Sequence, residues 1–319
     1  MSAPQQASYL PPIEETSRRP SRFLLASALV GTLFIWSLNY IIGKITLRHI
    51  DPFTLVAFRF PVAAMVALAI YFARRDRARL RLRDLWTFVY LGFFGILLNQ
   101  GCFTIGLNFT TSEHSAIVVS LGPLIVLLWA WLLRLENLTA GKAIGMLVSI
   151  AGILLLESRH TASGHSPFLL GDAITLCGTT AFATYTVLGK RVAGKYDAVS
   201  MTALNILVAA ILISPLTVRQ ALRLHWGSVG WVGWTGMLYM AALSSTAAYM
   251  IFYWILRYMD ASRVVVLNYC QPVIVILLSI PILGDYPTRN FVAGSALVLL
   301  GVYMAEHVAR RRRRALEKA

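Results

Sequence analysis

Residues 120–136 read SLGPLIVLLWAWLLRLE, and residues 269–285 read YCQPVIVILLSIPILGD. At the offset of 149 that separates them, Pro123 falls on Pro272, Ile125 on Ile274, Val126 on Val275 and Leu128 on Leu277. Each stretch is an apolar run with a proline near its middle. The register continues outward: Leu107 meets Leu256, Glu136 meets Asp285, Thr139 meets Thr288, Gly145 meets Gly294 and Gly152 meets Gly301. An offset of 146 aligns the front portions, Trp36 with Phe182, Asn39 with Tyr185, Gly43 and Lys44 with Gly189 and Lys190, Asp51 with Asp197 and Ala57 with Ala203. The chain is written twice.

Composition says what kind of unit is repeated. Of 319 residues, 57% are hydrophobic and 13% charged, with a mean hydropathy of +0.66. That lies far outside soluble globular usage. A helix needs about 20 apolar residues to cross roughly 30 Å of hydrocarbon. Ten windows fit, near 23–42, 53–73, 85–107, 114–133, 141–156, 168–188, 198–218, 229–254, 264–283 and 291–307, the fifth being the shortest. The expectation is an all-α membrane protein of ten transmembrane helices. It divides into a polar, disordered cytoplasmic segment 1–22, a five-helix repeat 23–157, a second five-helix repeat 168–307 and a basic cytoplasmic tail 308–319. Nothing after the first window resembles a cleavage site, so that window reads as a retained helix.

The net charge of +15 could suit nucleic acid, because basic clusters neutralise phosphates. Position decides against that partner. If the N-terminus is cytoplasmic, the inner segments hold the clusters around Arg18, Arg74 to Arg83, Lys190 to Lys195 and Arg310 to Arg314, whereas the outer segments hold Lys44, Arg48, Arg159, Arg219, Arg223 and Arg289. The positive-inside rule then puts both termini in the cytoplasm. The chain is expected in the plasma (inner) membrane, crossing it many times, with the basic surplus facing anionic lipid. Cys102, Cys177 and Cys270 lie inside predicted helices with no metal or C-x-x-C spacing and read as small core residues.

Five helices per copy is an odd number, so the second copy starts from the opposite side of the membrane. The halves are then related by a pseudo-two-fold axis in the membrane plane. Inverted repeats of this kind characterise secondary transporters, whose substrate site lies near the midplane between the copies. Pro123 and Pro272 are expected to break the fourth and ninth helices, freeing the carbonyls of Val119 and Asn268. Such groups need a partner or a water-filled cavity, and paired interruptions in two halves point to a binding site.

The chain resembles the EamA-type, ten-helix members of the drug/metabolite transporter superfamily over roughly residues 23–307. The resemblance is carried by FIWSLNYIIGK, DPFTLVAFRF, TTSEHSAIVVSLGPL and RLENLTAGKAIGMLVSIAGILLL, with YMDASRVVVLNYCQPV and GDYPTRNFVAGSALVLLGVYM as second-half counterparts. It implies export or exchange of small organic metabolites, often amino acids, through a central cavity lined by helices 1, 3, 4, 6, 8 and 9, without a bound cofactor. It also implies that helices 5 and 10 stand apart as scaffold, their glycines allowing close packing.

The candidate substrate contacts are Trp36, Asn39 and Tyr40, then Asn99, Gln100 and Phe103, then Ser120, Tyr185, Tyr249, Tyr253, Asn268 and Gln271. They combine polar ends with aromatic faces, as small-molecule pockets do. The amides are the strongest of them, because an amide in hydrocarbon requires a partner or a cavity. Arg59 is the strong base set well inside a window; pairing or snorkelling competes with binding a substrate carboxylate. Lys44 and Lys190 read as anchors or gate residues, and His114 as a group able to titrate near neutrality.

No Asp or Glu falls near the middle of a window, which leaves energy coupling open between proton exchange, substrate exchange and facilitated diffusion. The expected function is secondary transport of small neutral or zwitterionic metabolites by a monomer or weak dimer. The alternatives are a sugar-phosphate or nucleotide-sugar exchanger, which needs several cavity bases, and a membrane-embedded enzyme, for which no H-E-x-x-H, G-x-S-x-G or P-loop pattern occurs.

Overall fold

A computed structural model describes residues 20–75, 81, 84–132, 140–157, 168–189, 196–258, 270–284 and 286–316. They fold into helices α1 (Arg22–Thr46), α2 (Pro52–Ala73), α3, α4, α5 (Ala140–Glu157), α6 (Leu169–Gly189), α7 (Ala198–Arg223), α8, α9 (Gln271–Leu283) and α10 (Arg289–Leu316). Three of these are interrupted. Helix α3 runs as Leu85–Leu91, a π-type segment Gly92–Leu98 and Asn99–Phe109. Helix α4 runs as Ser112–Val119 and Gly122–Leu132. Helix α8 runs as Trp231–Tyr239, a π-type segment Met240–Ala247 and Ala248–Tyr258.

Local chemistry sets several of the helix ends, and it repeats between the halves. Asp51 caps α2, accepting from the N–H groups of Phe53 and Thr54 at 3.1 and 3.0 Å. Its counterpart Asp197 caps α7 and accepts from the Ser200 N–H and hydroxyl. Such caps satisfy donors that the first turn leaves without partners. Helix α9 stops at Gly284, which adopts φ 75°, a left-handed conformation that favours glycine.

Among the described residues, five helices are long and apolar enough to cross a membrane: Arg22–Thr46, Pro52–Ala73, Leu85–Phe109, Ala198–Arg223 and Trp231–Ile255. Shorter apolar helices cover Ser112–Val126, Ala140–Gly152, Gln271–Leu283 and Arg289–Met304. Their outer faces carry exposed Phe34, Met65, Phe72, Leu147, Leu212, Leu238, Leu277 and Leu300. So much exposed apolar surface suits lipid rather than water.

The helices pack in a pattern that survives exchange of the two halves. Helix α5 packs on α10, α2 on α7, and α4 on α9; α1 packs on α8 as α6 does on α3, and α1 on α9 as α6 does on α4. The α5–α10 seam shows the relation at atomic detail. A Cβ on Gly152 would meet the Gly294 carbonyl and Val298 at 2.7 Å, and one on Gly301 would meet the Gly145 carbonyl and Ser149. Ser149 Oγ donates to the Val298 carbonyl at 3.1 Å. Residues advance along α5 as their partners retreat along α10, so these two helices are antiparallel. Helices α2 and α7 are antiparallel too, since Arg74 at the end of α2 pairs with Asp197 at the start of α7 at 2.5 Å.

Helix α4 breaks at Ser120 and Leu121, before Pro123, which occupies the second position of the following piece. In a first turn the missing proline N–H has no intrahelical partner to lose. Pro272 likewise stands in the first turn of the described part of α9. In α4 the break precedes the proline rather than centring on it. Asn268 and Lys190 lie outside the described residues.

Candidate functional site

Where α1, α3, α4, α6, α8 and α9 converge, they leave a cavity partly open to the exterior. Eight of the twelve candidate contacts line it: Trp36, Asn39, Tyr40, Asn99, Gln100, Phe103, Tyr249 and Gln271. Pro123 and Val119 line it beside the α4 break, and Arg59 reaches it from α2. Helices α5, α7 and α10 contribute no lining residue among those described.

The geometry of α3 and α8 explains how polar groups arrive here. An i→i+5 turn widens the helix and shifts its side chains by part of a turn, and such bulges recur at functional sites. The α8 segment sets Ser244, Ser245 and Thr246 in the interior, with Ser245 and Thr246 hydroxyls within reach of the carbonyls five residues back, Met240 and Ala241, at 2.9 and 3.0 Å. The α3 segment lies at the equivalent place, since the 149 offset carries Gly92 to Ala241 and Leu98 to Ala247. Gly95 in that segment is required by packing, as a Cβ there would run into the Tyr185 ring.

A connected network runs through the wall. Arg59, 1% exposed, donates from Nε to Ser245 Oγ at 2.9 Å and from an Nη to Thr104 Oγ1 at 3.1 Å. Ser245 Oγ is 2.6 Å from Gln100 Oε1, and Thr104 donates to the Gln100 carbonyl at 2.8 Å. Arg59 therefore turns inward instead of snorkelling, and its partners are hydroxyls. On the other side Tyr249 donates to Asn99 Oδ1 at 3.1 Å, while Asn99 Nδ2 donates to the Gly178 carbonyl at 2.9 Å. Trp36 Nε1 lies 3.3 Å from the Ser244 carbonyl. Gln100 Nε2 and Asn39 Oδ1 are buried without a partner. Aromatic edges complete the wall, with Tyr40 against Phe103 at 4.9 Å and Trp36 against Tyr249 at 5.6 Å.

Three candidates stand elsewhere. Ser120 is buried and donates to the Ile117 carbonyl at 2.6 Å, satisfying the α4 break. Tyr185 is packed on Gly95 and Tyr253, and Tyr253 lies 3.4 Å from Asn205 Nδ2. All three make contacts between or within helices and do not line the cavity. Conversely, Thr104, Ser244, Ser245, Phe182 and Thr186 were missed by sequence reasoning. The available signal was the Ser-Ser-Thr run at 244–246 inside an apolar window, and the match of Phe182 to Trp36.

Lys44 and His114 belong to a separate tie at the start of α4 and end of α3. Lys44 Nζ donates to the Leu107 and Thr110 carbonyls at 2.9 and 2.5 Å. Thr110 donates to Asp172 Oδ1 at 2.6 Å, and His114 Nδ1 meets Asp172 Oδ2 at 3.0 Å. The imidazole sits between Phe168 and Phe291. The tie joins α1, α3, α4 and α6 outside the cavity. Among the described residues, no cluster of His, Cys, Asp and Glu could hold a metal ion.

Comparisons with known proteins accord with this architecture. The EamA-like transporter family matches twice, over residues 24–158 and 169–306. An uncharacterized transporter of Archaeoglobus fulgidus is 27% identical over 86% of this chain and 96% of its own. The uncharacterized transporter YyaM of Bacillus subtilis is 24% identical over 88% of this chain and 93% of its own. A WAT1-related protein of Arabidopsis thaliana is 26% identical over 83% and 78% respectively. A solved crystal structure, 21% identical, shares the fold with a TM-score of 0.62 across 91% of this chain and 99% of the other. The names are those of transporters, which removes the membrane-enzyme reading. With two family repeats and apolar helices around a cavity that carries a few polar side chains, the chain is a multi-pass membrane protein that belongs to the EamA-like transporter family.

Proposed function

We propose that the protein is a secondary transporter of the plasma (inner) membrane that exports small neutral or zwitterionic metabolites, such as amino acids, by alternating access. Ten spans in two inverted five-helix repeats form the framework, with both termini cytoplasmic. The observation that carries the proposal is the coincidence, at one cavity, of the α4 break, the two symmetry-related π segments and buried unpartnered amides. Interrupted helices in matched positions of two halves are where transporters bind cargo. The antiparallel α5–α10 and α2–α7 contacts support the inverted relation, because a two-fold axis along the helices would make those pairs parallel. The packing pattern is kept when the halves are exchanged, as alternation between two symmetry-related states around a fixed site requires.

Among the described residues Arg59 is the cavity's one base, too few to hold a phosphate dianion well. The test is reconstitution into liposomes with a panel of labelled amino acids, amphipathic cations and sugar phosphates. Saturable movement of amino acids is the expected result. Movement restricted to sugar phosphates overturns the substrate class, and the absence of transport by the folded protein overturns the function.

A further inference from the structure

The donors around Arg59 outnumber their acceptors. A guanidinium carries five N–H groups in a rigid fork, and here its protein partners are two hydroxyl oxygens, those of Ser245 and Thr104. No carboxylate pairs with it among the described residues. Next to it, Gln100 gives its Oε1 to Ser245 and leaves its Nε2 donor without a partner while lining the same cavity. A buried charge without a counter-ion is expensive, and neutral hydroxyls offset only part of that expense. The corresponding residue of the second half, Asn205, is buried and neutral and lies against Tyr253. The charge is therefore presented from one side only, and cargo would bind in one orientation.

What fits this corner is a small acceptor-only anion. A carboxylate has two oxygens matched to the guanidinium fork and can also accept from Gln100. The rest of the cavity presents Trp36, Phe103, Phe182 and Tyr249, surfaces for an apolar or aromatic body. No acidic side chain lines the cavity among the described residues, so a cationic amine finds no ion-pair partner, though Asn39 Oδ1 is open to an N–H.

We propose that the cavity selects molecules bearing a carboxylate, held by Arg59 and Gln100, with an apolar or aromatic body against Trp36 and Phe103. This rests on the transport reading above, restricts its neutral or zwitterionic solutes to those bearing a carboxylate, and adds carboxylate anions to them.

The test uses the full-length protein in proteoliposomes and four labelled probes of similar body: 3-phenylpropionate, phenylalanine, phenylalaninamide and phenethylamine. The first two carry the carboxylate; the others lack it. Carboxylate probes are expected to move at least about tenfold faster than the amide and amine, the loss expected when a buried charge-assisted pair cannot form. In Arg59→Gln the ratio should fall towards unity. Were Arg59 only a tie among α2, α3 and α8, the substitution would slow all probes alike and leave the ratio in place. Because Arg59→Gln could disturb folding, Gln100→Glu provides a second arm: an internal carboxylate beside Arg59 should occupy the site and abolish the preference. Equal movement of all four probes by the native protein overturns the inference, as does an unchanged ratio in either folded variant. If none of the four moves while other panel solutes do, the inference falls and transport stands; if nothing moves, both fall.

Discussion

The α5–α10 seam and the middle of α3 and α8 are both written twice in the sequence, at the same offset, yet they are built on opposite terms. At the seam the helices are in close contact: glycines admit the opposing backbone, and Ser149 closes its own hydrogen bond across the interface. In the middle of α3 and α8 the regular ladder is given up over Gly92–Leu98 and Met240–Ala247. There the side chains converge on a space, with Gln100 Nε2 and Asn39 Oδ1 left open. The difference teaches where stability is made and where it is withheld. Close van der Waals packing is the main source of cohesion between helices in lipid, while buried groups kept unpaired weaken the fold.

The sharpest way to break this contrast is to fill the seam. Gly152→Leu places a side chain where even a Cβ would lie 2.7 Å from the Gly294 carbonyl and from the Val298 nitrogen. Backbone cannot rotate away as a side chain can, so the helices must separate. The expected destabilisation is about 3 kcal/mol or more, seen as loss of the monodisperse peak in size-exclusion chromatography. A well-folded Gly152→Leu protein with native thermal stability would show that the seam is not the scaffold.

A smaller effect is expected at the tie joining α1, α3, α4 and α6. Asp172 accepts from Thr110 and meets His114 in a largely buried setting. Asp172→Asn keeps the volume but removes the charge and one set of acceptor lone pairs. It should lower stability by about 2 kcal/mol, measured as a drop in melting temperature in detergent. Because the tie is outside the cavity, the ratio of transport rates between solutes should not change. A changed ratio with unchanged stability would move this cluster into the cargo path.

Much of the site was legible because its residues are costly in hydrocarbon. Asn39, Asn99, Gln100, Gln271 and Arg59 announce themselves by chemistry, and the structure sets all five on one cavity. The twofold writing was legible as well, through glycines and prolines that have few reasons to recur in register. Two kinds of feature were not. The π segments have no residue code, since Gly92 and Ser245 could equally sit in a regular ladder; the wider turns occur where α7 and α6 pack on the first segment and α2 and α1 on the second. The faces of aromatic residues were also hidden. Tyr185 and Tyr253 stand on cavity helices but point into the seams behind, because Gly95 leaves a slot that a tyrosine ring fills. The α4 break fell at Ser120 and Leu121 because Pro123 starts a helix more easily than it interrupts one.

The smallest effect on stability, and the most informative, is expected from Asn39→Leu. Asn39 lines the cavity and is 5% exposed, with an Oδ1 that has no partner. A buried acceptor left unpaired is a standing penalty, so replacing the amide by an apolar side chain of similar size should leave the melting temperature unchanged or raise it, by about 1 kcal/mol in equivalent stability. If the open acceptor is kept for cargo, uptake of whichever panel solute the native protein carries should drop while the fold gains. Stability and transport would then move in opposite directions, which a packing role cannot produce: a side chain that merely fills space loses both together. A variant that melts earlier and transports normally would show that Asn39 is part of the scaffold after all, and that the boundary between the committed seam and the open cavity lies deeper than α1.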